Sequence, residues 1–164
     1  MRTSIALLFP LLLLAAAPTV AGTLAPTRAS DVVTLVASYD PPGCPQGGTG
    51  AVFDRVLTAE GEYLPITIPQ KRVLVLTSIR WLAIGPANED VSLSLRPGPE
   101  TAGFTGITLA GARTDANGRA SGEAKLEPGL VVRNLANLCV RVSTGSGVTT
   151  PGNISAVGFF AKDR

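Results

Sequence analysis

The sequence contains no histidine, and this absence removes the commonest catalytic and metal-binding side chain. Ser-His-Asp and Cys-His nucleophilic catalysis both need an imidazole as the general base. The usual zinc, copper and non-haem iron sites rely on imidazole or on thiolates. We therefore expect no metal, no cofactor and no catalysis of these classes.

Aromatic residues make up only 5% of the chain, and acidic residues are scattered. This is a small number of aromatic residues from which to build a face on which sugars stack. A glycosidase needs two carboxylates about 5–10 Å apart across a cleft, but the acidic residues fall in predicted turns or on solvated faces. A carboxylate-dependent glycosidase or lyase is therefore the least favoured alternative. The adjacent Glu89 and Asp90 could bind calcium, but further acidic ligands are missing nearby.

The chain has little net charge and no concentrated basic segment. Its formal net charge is +2, and loss of Arg2 with a leader would leave 2 − 1 = +1. A protein that follows a phosphate backbone concentrates its basic residues on one face or segment. We therefore expect no nucleic-acid partner.

The N-terminal residues are typical of a secretory signal. Arg2 precedes an apolar run from Ile5 to Leu14 and then small residues, which is the order of an export leader. We expect cleavage after Ala21; Ala17 is the alternative, but it would place Pro18 first. A retained anchor is disfavoured because a membrane span needs about 20 apolar residues. The sequence predicts a signal peptide over 1–21, a flexible lead-in over 22–30 and one domain over 31–164.

Only two cysteines occur, Cys44 and Cys139. In a secreted or periplasmic protein we expect them to form a disulfide. They lie 139 − 44 = 95 positions apart, and closing so long a loop stabilises a fold by about 4–5 kcal/mol in the chain-entropy model. Two separate buried thiols are the alternative, and mass measurement with and without reductant distinguishes the two.

The rest of the chain alternates short Val-, Ile-, Leu- and Thr-rich runs with turn residues. With 18 glycines and 13 prolines spread along it, this pattern predicts many short strands rather than helices. The predicted strands are Val32–Tyr39, Ala51–Leu57, Tyr63–Ile68, Arg72–Ile84, Val91–Arg96, Thr105–Thr114, Arg119–Leu126, Leu130–Asn134, Leu138–Thr144 and Ile154–Lys162.

About ten short antiparallel strands favour a two-sheet β-sandwich, with a jelly roll first and an immunoglobulin-like sandwich second. Cys44 lies in a Pro/Gly-rich loop, which disfavours the immunoglobulin form. The run Ala156-Val157-Gly158-Phe159-Phe160 resembles the last strand of C1q-like or tumour-necrosis-factor-like jelly rolls. That resemblance covers under ten residues and implies architecture only.

The stretch from Arg113 to Arg119 resembles both a calcium loop and a hairpin tip. With Asp115 as position 1, Arg119 falls where an oxygen ligand is required and Leu126 where a glutamate is required. The stretch instead predicts a turn closed by a left-handed Gly118, in a three-residue hairpin that pairs the flanking strands. A two-residue Asn-Gly loop is the alternative.

The strand over Arg72–Ile84 is apolar on both faces, so it should be central and covered on its outer side. Leu138, Val140 and Val142 should point inward on their strand, which leaves Cys139 outward. Four residues are candidates for ligand binding: Arg80, Trp81, Glu89 and Asp90. For Arg80 the preferred interpretation is structural, either pairing with a carboxylate or extension of the side chain past the sheet edge into solvent. For Trp81 it is core packing.

The sequence therefore favours an exported, non-enzymatic module that contacts another protein or self-associates. The high apolar fraction, 45% of the residues, supports this view, since a second subunit could cover the two-faced strand. A small carbohydrate-binding module, with a glycan as partner, is the alternative from a different class.

Overall fold

The structure is a computed structural model that describes residues 26, 28–38, 50–97, 106–135, 138–145, 147–148 and 150–163. The predicted signal peptide and Cys44 lie outside these ranges. The described residues form strands and one short 3-10 turn at Ala29–Asp31. Their strands are β1 Val32–Ser38, β2 Ala51–Leu57, β3 Tyr63–Pro65, β4 Arg72–Ile84, β5 Asp90–Pro97, β6 Ile107–Arg113, β7 Arg119–Val132, β8 Leu138–Thr144, β9 Gly147–Val148 and β10 Thr150–Lys162.

The all-β prediction is confirmed, but the strands form one antiparallel sheet rather than two separate ones. Its order is β6-β5-β8-β2-β1-β10-β4-β7, with β3 beside β2 and β9 beside β8. The end strands β6 and β7 approach each other, so the sheet is nearly closed like a barrel. We call β1-β10-β4-β7 the first half of the sheet and β6-β5-β8-β2 the second half.

A β-bulge at Thr77 explains why the sequence of β4 is apolar on both faces. Relative to β10, the register shifts between the pairs Ser78–Val157 and Leu76–Gly158, and the Thr77 hydroxyl donates to the Val157 carbonyl at 3.1 Å. Because one extra residue reverses the alternation of side chains, the core-facing positions differ on the two sides of the bulge. The core-facing side chains of β4 are Leu74, Leu76, Ile79, Trp81 and Ala83.

A second irregularity merges two predicted strands into β7. Leu76 pairs with Leu130 and Ser78 with Lys125, so residues 126–129 lie opposite Thr77 alone. Gly129 has φ +122 within this bulge, in the left-handed region that glycine adopts most readily. The sequence predicts two strands here, Arg119–Leu126 and Leu130–Asn134, because a proline and a glycine at 128 and 129 separate the two runs.

The predicted turn at Asp115–Arg119 is confirmed, but the predicted pairing of its flanking strands is wrong. Gly118 has φ +73, and its N–H donates to the Asp115 carbonyl at 3.0 Å. Beyond the turn, however, β6 pairs with β5 and β7 with β4. The turn therefore connects the two edges of the nearly closed sheet.

The same end of the sheet is tied by Thr114, which is buried. Its hydroxyl donates to the Pro86 carbonyl at 2.6 Å and accepts from the Glu89 N–H at 2.9 Å. The Gly85 N–H also donates to the Gly118 carbonyl at 2.8 Å. The β4–β5 connection is thus fastened to the β6–β7 turn, which holds the halves together where no strand ladder links them.

Candidate functional site

The four candidate ligand residues do not converge on one site. Arg80 and Trp81 are consecutive in β4, so their side chains lie on opposite faces of the sheet. The Arg80 side chain is exposed and lies 3.6 Å from the carboxylate of Glu123. This contact is one of the two structural alternatives that the sequence leaves open for Arg80, although Arg80 lies on a solvated face rather than among apolar neighbours.

Trp81 belongs to the core, where it is 3% exposed. Its ring packs against the backbone of Gly122 in β7: a Cβ added there would lie 3.0 Å from Trp81 Nε1. Within the described ranges, Nε1 has no hydrogen-bond partner. The ring is therefore not available as a surface on which a sugar could stack.

Asp90 is the first residue of β5 and Glu89 immediately precedes it, but the two differ in role. The backbone of Glu89 bonds with Thr114, as described above. Asp90 is exposed and lies opposite Arg113 on β6. Among the described residues, no three acidic or cysteine side chains come together as metal ligands.

Cys139 lies on the outward side of β8, as predicted, while Leu138, Val140 and Val142 join the core. It is nevertheless completely buried, and it is not a free thiol. Its predicted partner, Cys44, lies outside the described residues. The Cys44–Cys139 disulfide therefore stays a prediction.

The outer face of the first half carries a continuous line of apolar side chains, which we call the apolar row. The register pairs Val131 with Val75, Val75 with Phe159 and Phe159 with Val32, across four adjacent strands. The central residues are buried, whereas Val32 is 49% and Val131 is 40% exposed. Val73 and Ala161 extend the buried centre, with which Val75 and Phe159 form a cluster separate from the main core.

Parts of this chain cover the centre of the apolar row. A Cβ added to Gly129 would lie 2.7 Å from Cγ1 of Val75, so the β7 bulge folds against that side chain. Near Val73, Arg133 of the β7 side pairs with Asp163 after β10, at 3.1 Å. Because these strands flank β4, the ion pair spans it. The sequence analysis suggested that a second subunit covers the outer face of β4. Part of that cover comes from this chain itself.

The outer face of the second half is polar and carries a groove. Gly111, Ser92 and Ser143 lie side by side on β6, β5 and β8, and we call them the serine row. Their small side chains leave an open groove of about 630 Å³. The groove is lined by Asp90, Val91, Ser92, Gly111, Ala112, Ser143, Thr144 and Gly145.

Beside the serine row lies Arg141, two residues before Ser143 on the same face of β8. It is half-buried, and its Nε is shielded from solvent without a hydrogen-bond partner. Within the described residues, the Arg141 guanidinium forms no ion pair with a carboxylate. A guanidinium carries five N–H donors that favour oxyanions.

No family model, curated protein or solved structure matches this chain. Among the described residues, no helix is long and apolar enough to cross a membrane. Function is therefore inferred from the surfaces described above.

Sequence reasoning missed both of these surfaces. The apolar row depends on the Thr77 bulge, which places Val73 and Val75 on the face opposite Ile79 and Trp81. The serine row depends on the pairing of β5 with β8, strands that lie far apart in the chain. The alternation of Ser92 and Ser94 with apolar residues was the one available signal, since it marks a strand with a polar face.

Proposed function

We propose that this protein is an exported, non-enzymatic binding module that self-associates through the apolar row. The observation that carries the proposal is the continuity of apolar side chains across four strands, with exposed residues at both ends. Because the chain itself covers the centre of the row, the apolar area open to a partner is that of Val131 and Val32 at its ends. Exposed apolar area is where a second copy can bury surface.

The charges around the apolar row favour a second copy of the chain as the partner. Arg133 pairs with Asp163 on one side of it, and Arg72 pairs with Asp31 at 3.4 Å near another. Because these charges are balanced, two copies that meet face to face do not repel each other. A two-fold interface uses the same patch on both subunits, so it needs a self-complementary surface of this kind.

The strand pairing also supports a jelly-roll architecture for this module. The pairs nest along the chain: β1 with β10, β2 with β8, β4 with β7 and β5 with β6. A jelly roll consists of two Greek keys wound in this antiparallel manner. In our proposal the two halves of the sheet are the two layers of the roll, joined through the β1–β2 pair.

Sedimentation velocity on the chain without residues 1–21, at micromolar to millimolar concentration, tests the self-association. We expect a mass above that of the monomer, and we expect Val131→Asp to shift the equilibrium towards monomer at least tenfold. A buried carboxylate at the contact is costly because it loses its water. Circular dichroism checks that the variant is folded.

Ile107→Asp is the matched control, because Ile107 is 46% exposed but lies on β6, in the second half of the sheet. It should leave the association unchanged. A strict monomer at every concentration, or equal effects of the two substitutions, would contradict the proposed interface. N-terminal sequencing of secreted protein tests the export leader, with Gly22 as the expected first residue.

A further inference from the structure

The groove over the serine row has the size and the lining of a small-ligand site. Its volume of about 630 Å³ lies within the range of about 300–1,000 Å³ that is typical of ligand pockets. The groove is open and its floor consists of small residues, so a ligand can approach the sheet closely. Its polar groups decide which ligand chemistry it can accept.

The groups at the centre and at one end of the groove suit hydroxyl groups. The hydroxyls of Ser92 and Ser143 lie 3.1 Å apart, and each can both donate and accept hydrogen bonds. At one end, the exposed Asp90 carboxylate can accept bonds from two neighbouring hydroxyls. Groups of this kind, on adjacent strands, match a polyhydroxylated ring.

The other side of the serine row suits an anion. Arg141 is opposite Ser94, and its buried Nε lacks a partner among the described residues. Because the Arg141 side chain is only half-buried and its Nε makes no hydrogen bond within the described residues, the guanidinium keeps donors with which it can bind an oxyanion. Asp90 and Ser94 are four residues apart along β5, which corresponds to about 13 Å. Because Ser94 is opposite Arg141, this is the backbone distance between the Asp90 end and the Arg141 end of the site. That distance corresponds to a ligand of one or two sugar units.

We propose that the outer face of β6, β5 and β8 binds an acidic sugar. The sugar hydroxyls contact Asp90, Ser92 and Ser143, and the sugar carboxylate contacts the guanidinium of Arg141. The site is separate from the apolar row, so it is independent of self-association. The affinity is weak, with a Kd on the order of 1 mM, because none of the described residues that line the groove is aromatic.

Nuclear magnetic resonance titration of the ¹⁵N-labelled full-length mature protein tests this site. Glucuronic acid should produce saturable shifts of the Ser92 and Ser143 amide signals and of the Arg141 Nε–H signal. Glucose, which lacks the carboxylate, and acetate, which lacks the hydroxyls, should each bind at least tenfold more weakly. The Arg141 signal is assigned by its loss in Arg141→Gln.

Two variants and one control complete the test. Arg141→Gln should abolish the shifts by glucuronic acid at Ser92 and Ser143, and Ser143→Leu should do the same by filling the groove. Arg80→Gln, which removes an exposed arginine from the other half of the sheet, should leave binding intact. Unfolding temperatures show whether each variant is folded.

Three outcomes would overturn the proposal. The first is the absence of any shift of the Ser92 and Ser143 signals at glucuronic acid concentrations well above the expected Kd. The second is an undiminished shift of these signals in the folded Arg141→Gln variant. The third is a response to acetate as strong as that to glucuronic acid, which would leave an anion site without sugar recognition.

Discussion

The outer faces of the two halves of the sheet differ in chemistry although both halves share one core. On the first half, Val75 lies at the centre of an apolar row and is 1% exposed. On the second half, the equivalent central position is held by Ser92, which bonds with Ser143 across a groove. The first face excludes water from its centre, whereas the second leaves polar groups open to it. We infer that one face serves association and the other a polar ligand.

The largest expected effect concerns the junction between the halves. Gly118→Ala should destabilise the protein by about 3 kcal/mol, because φ is positive there and the new Cβ would collide with the carbonyl oxygen of Gly85. The colliding atom belongs to the backbone of Gly85 and cannot move aside as the end of a flexible side chain could, so the strain is not relieved. Chemical denaturation followed by circular dichroism measures the loss.

Gly61→Ala is the matched control for this substitution. Gly61 has φ +85, but no atom of the described residues lies within 4 Å of an added Cβ, so its cost should be the conformational term alone, about 1 kcal/mol. Equal losses for the two variants would show that the contact between Gly118 and Gly85 is not part of the stable fold.

The next largest effect compares the two outer faces directly. Val75→Ala should cost about 2 kcal/mol because it leaves a cavity under the β7 bulge. Ser92→Ala, at the corresponding place on the other face, should cost about 1 kcal/mol or less, the value of one part-buried hydrogen bond between neutral groups. Thermal unfolding of both variants provides the comparison. Equal costs would mean that the apolar row has no buried centre.

The smallest expected effect compares one glycine from each half. Gly122→Ala should cost about 1–2 kcal/mol, since the new methyl would press on the Trp81 ring at 3.0–3.1 Å. Among the described residues, the Cβ of Gly111→Ala meets only the Val91 carbonyl oxygen, at 3.5 Å, which is an ordinary contact, so stability should hardly change. Trp81 fluorescence should shift in the first variant alone. If the fluorescence shifted in neither variant, the Trp81 ring would not lie against Gly122.

Much of the strand pattern is predictable from the sequence because local chemistry decides it. The bounds of β2, β4 and β8 agree with the prediction, since Val, Ile and Leu runs end there at turn residues. The Asp115–Gly118 turn follows from the preference of glycine for positive φ. The contact of Arg80 with Glu123 is one of the two structural alternatives that the sequence leaves open for this residue.

The candidate sites were less predictable because they depend on which strands become neighbours. The turn after Thr114 resembled a hairpin, yet β6 and β7 find different partners, β5 and β4. The opposite orientations of Arg80 and Trp81, by contrast, follow from their consecutive positions in one strand. Asp90 is the one candidate that lines the groove.

The sequence by itself determined an all-β chain, the positions of most strands and the absence of histidine-dependent chemistry. These properties depend on residue type and on spacing over a few positions. Only the tertiary structure decided the nearly closed sheet, the Thr77 bulge, and the apolar and serine rows. The physical reason is that a one-residue bulge moves every later side chain to the opposite face, and that strands pair across distances in the chain which no local pattern encodes.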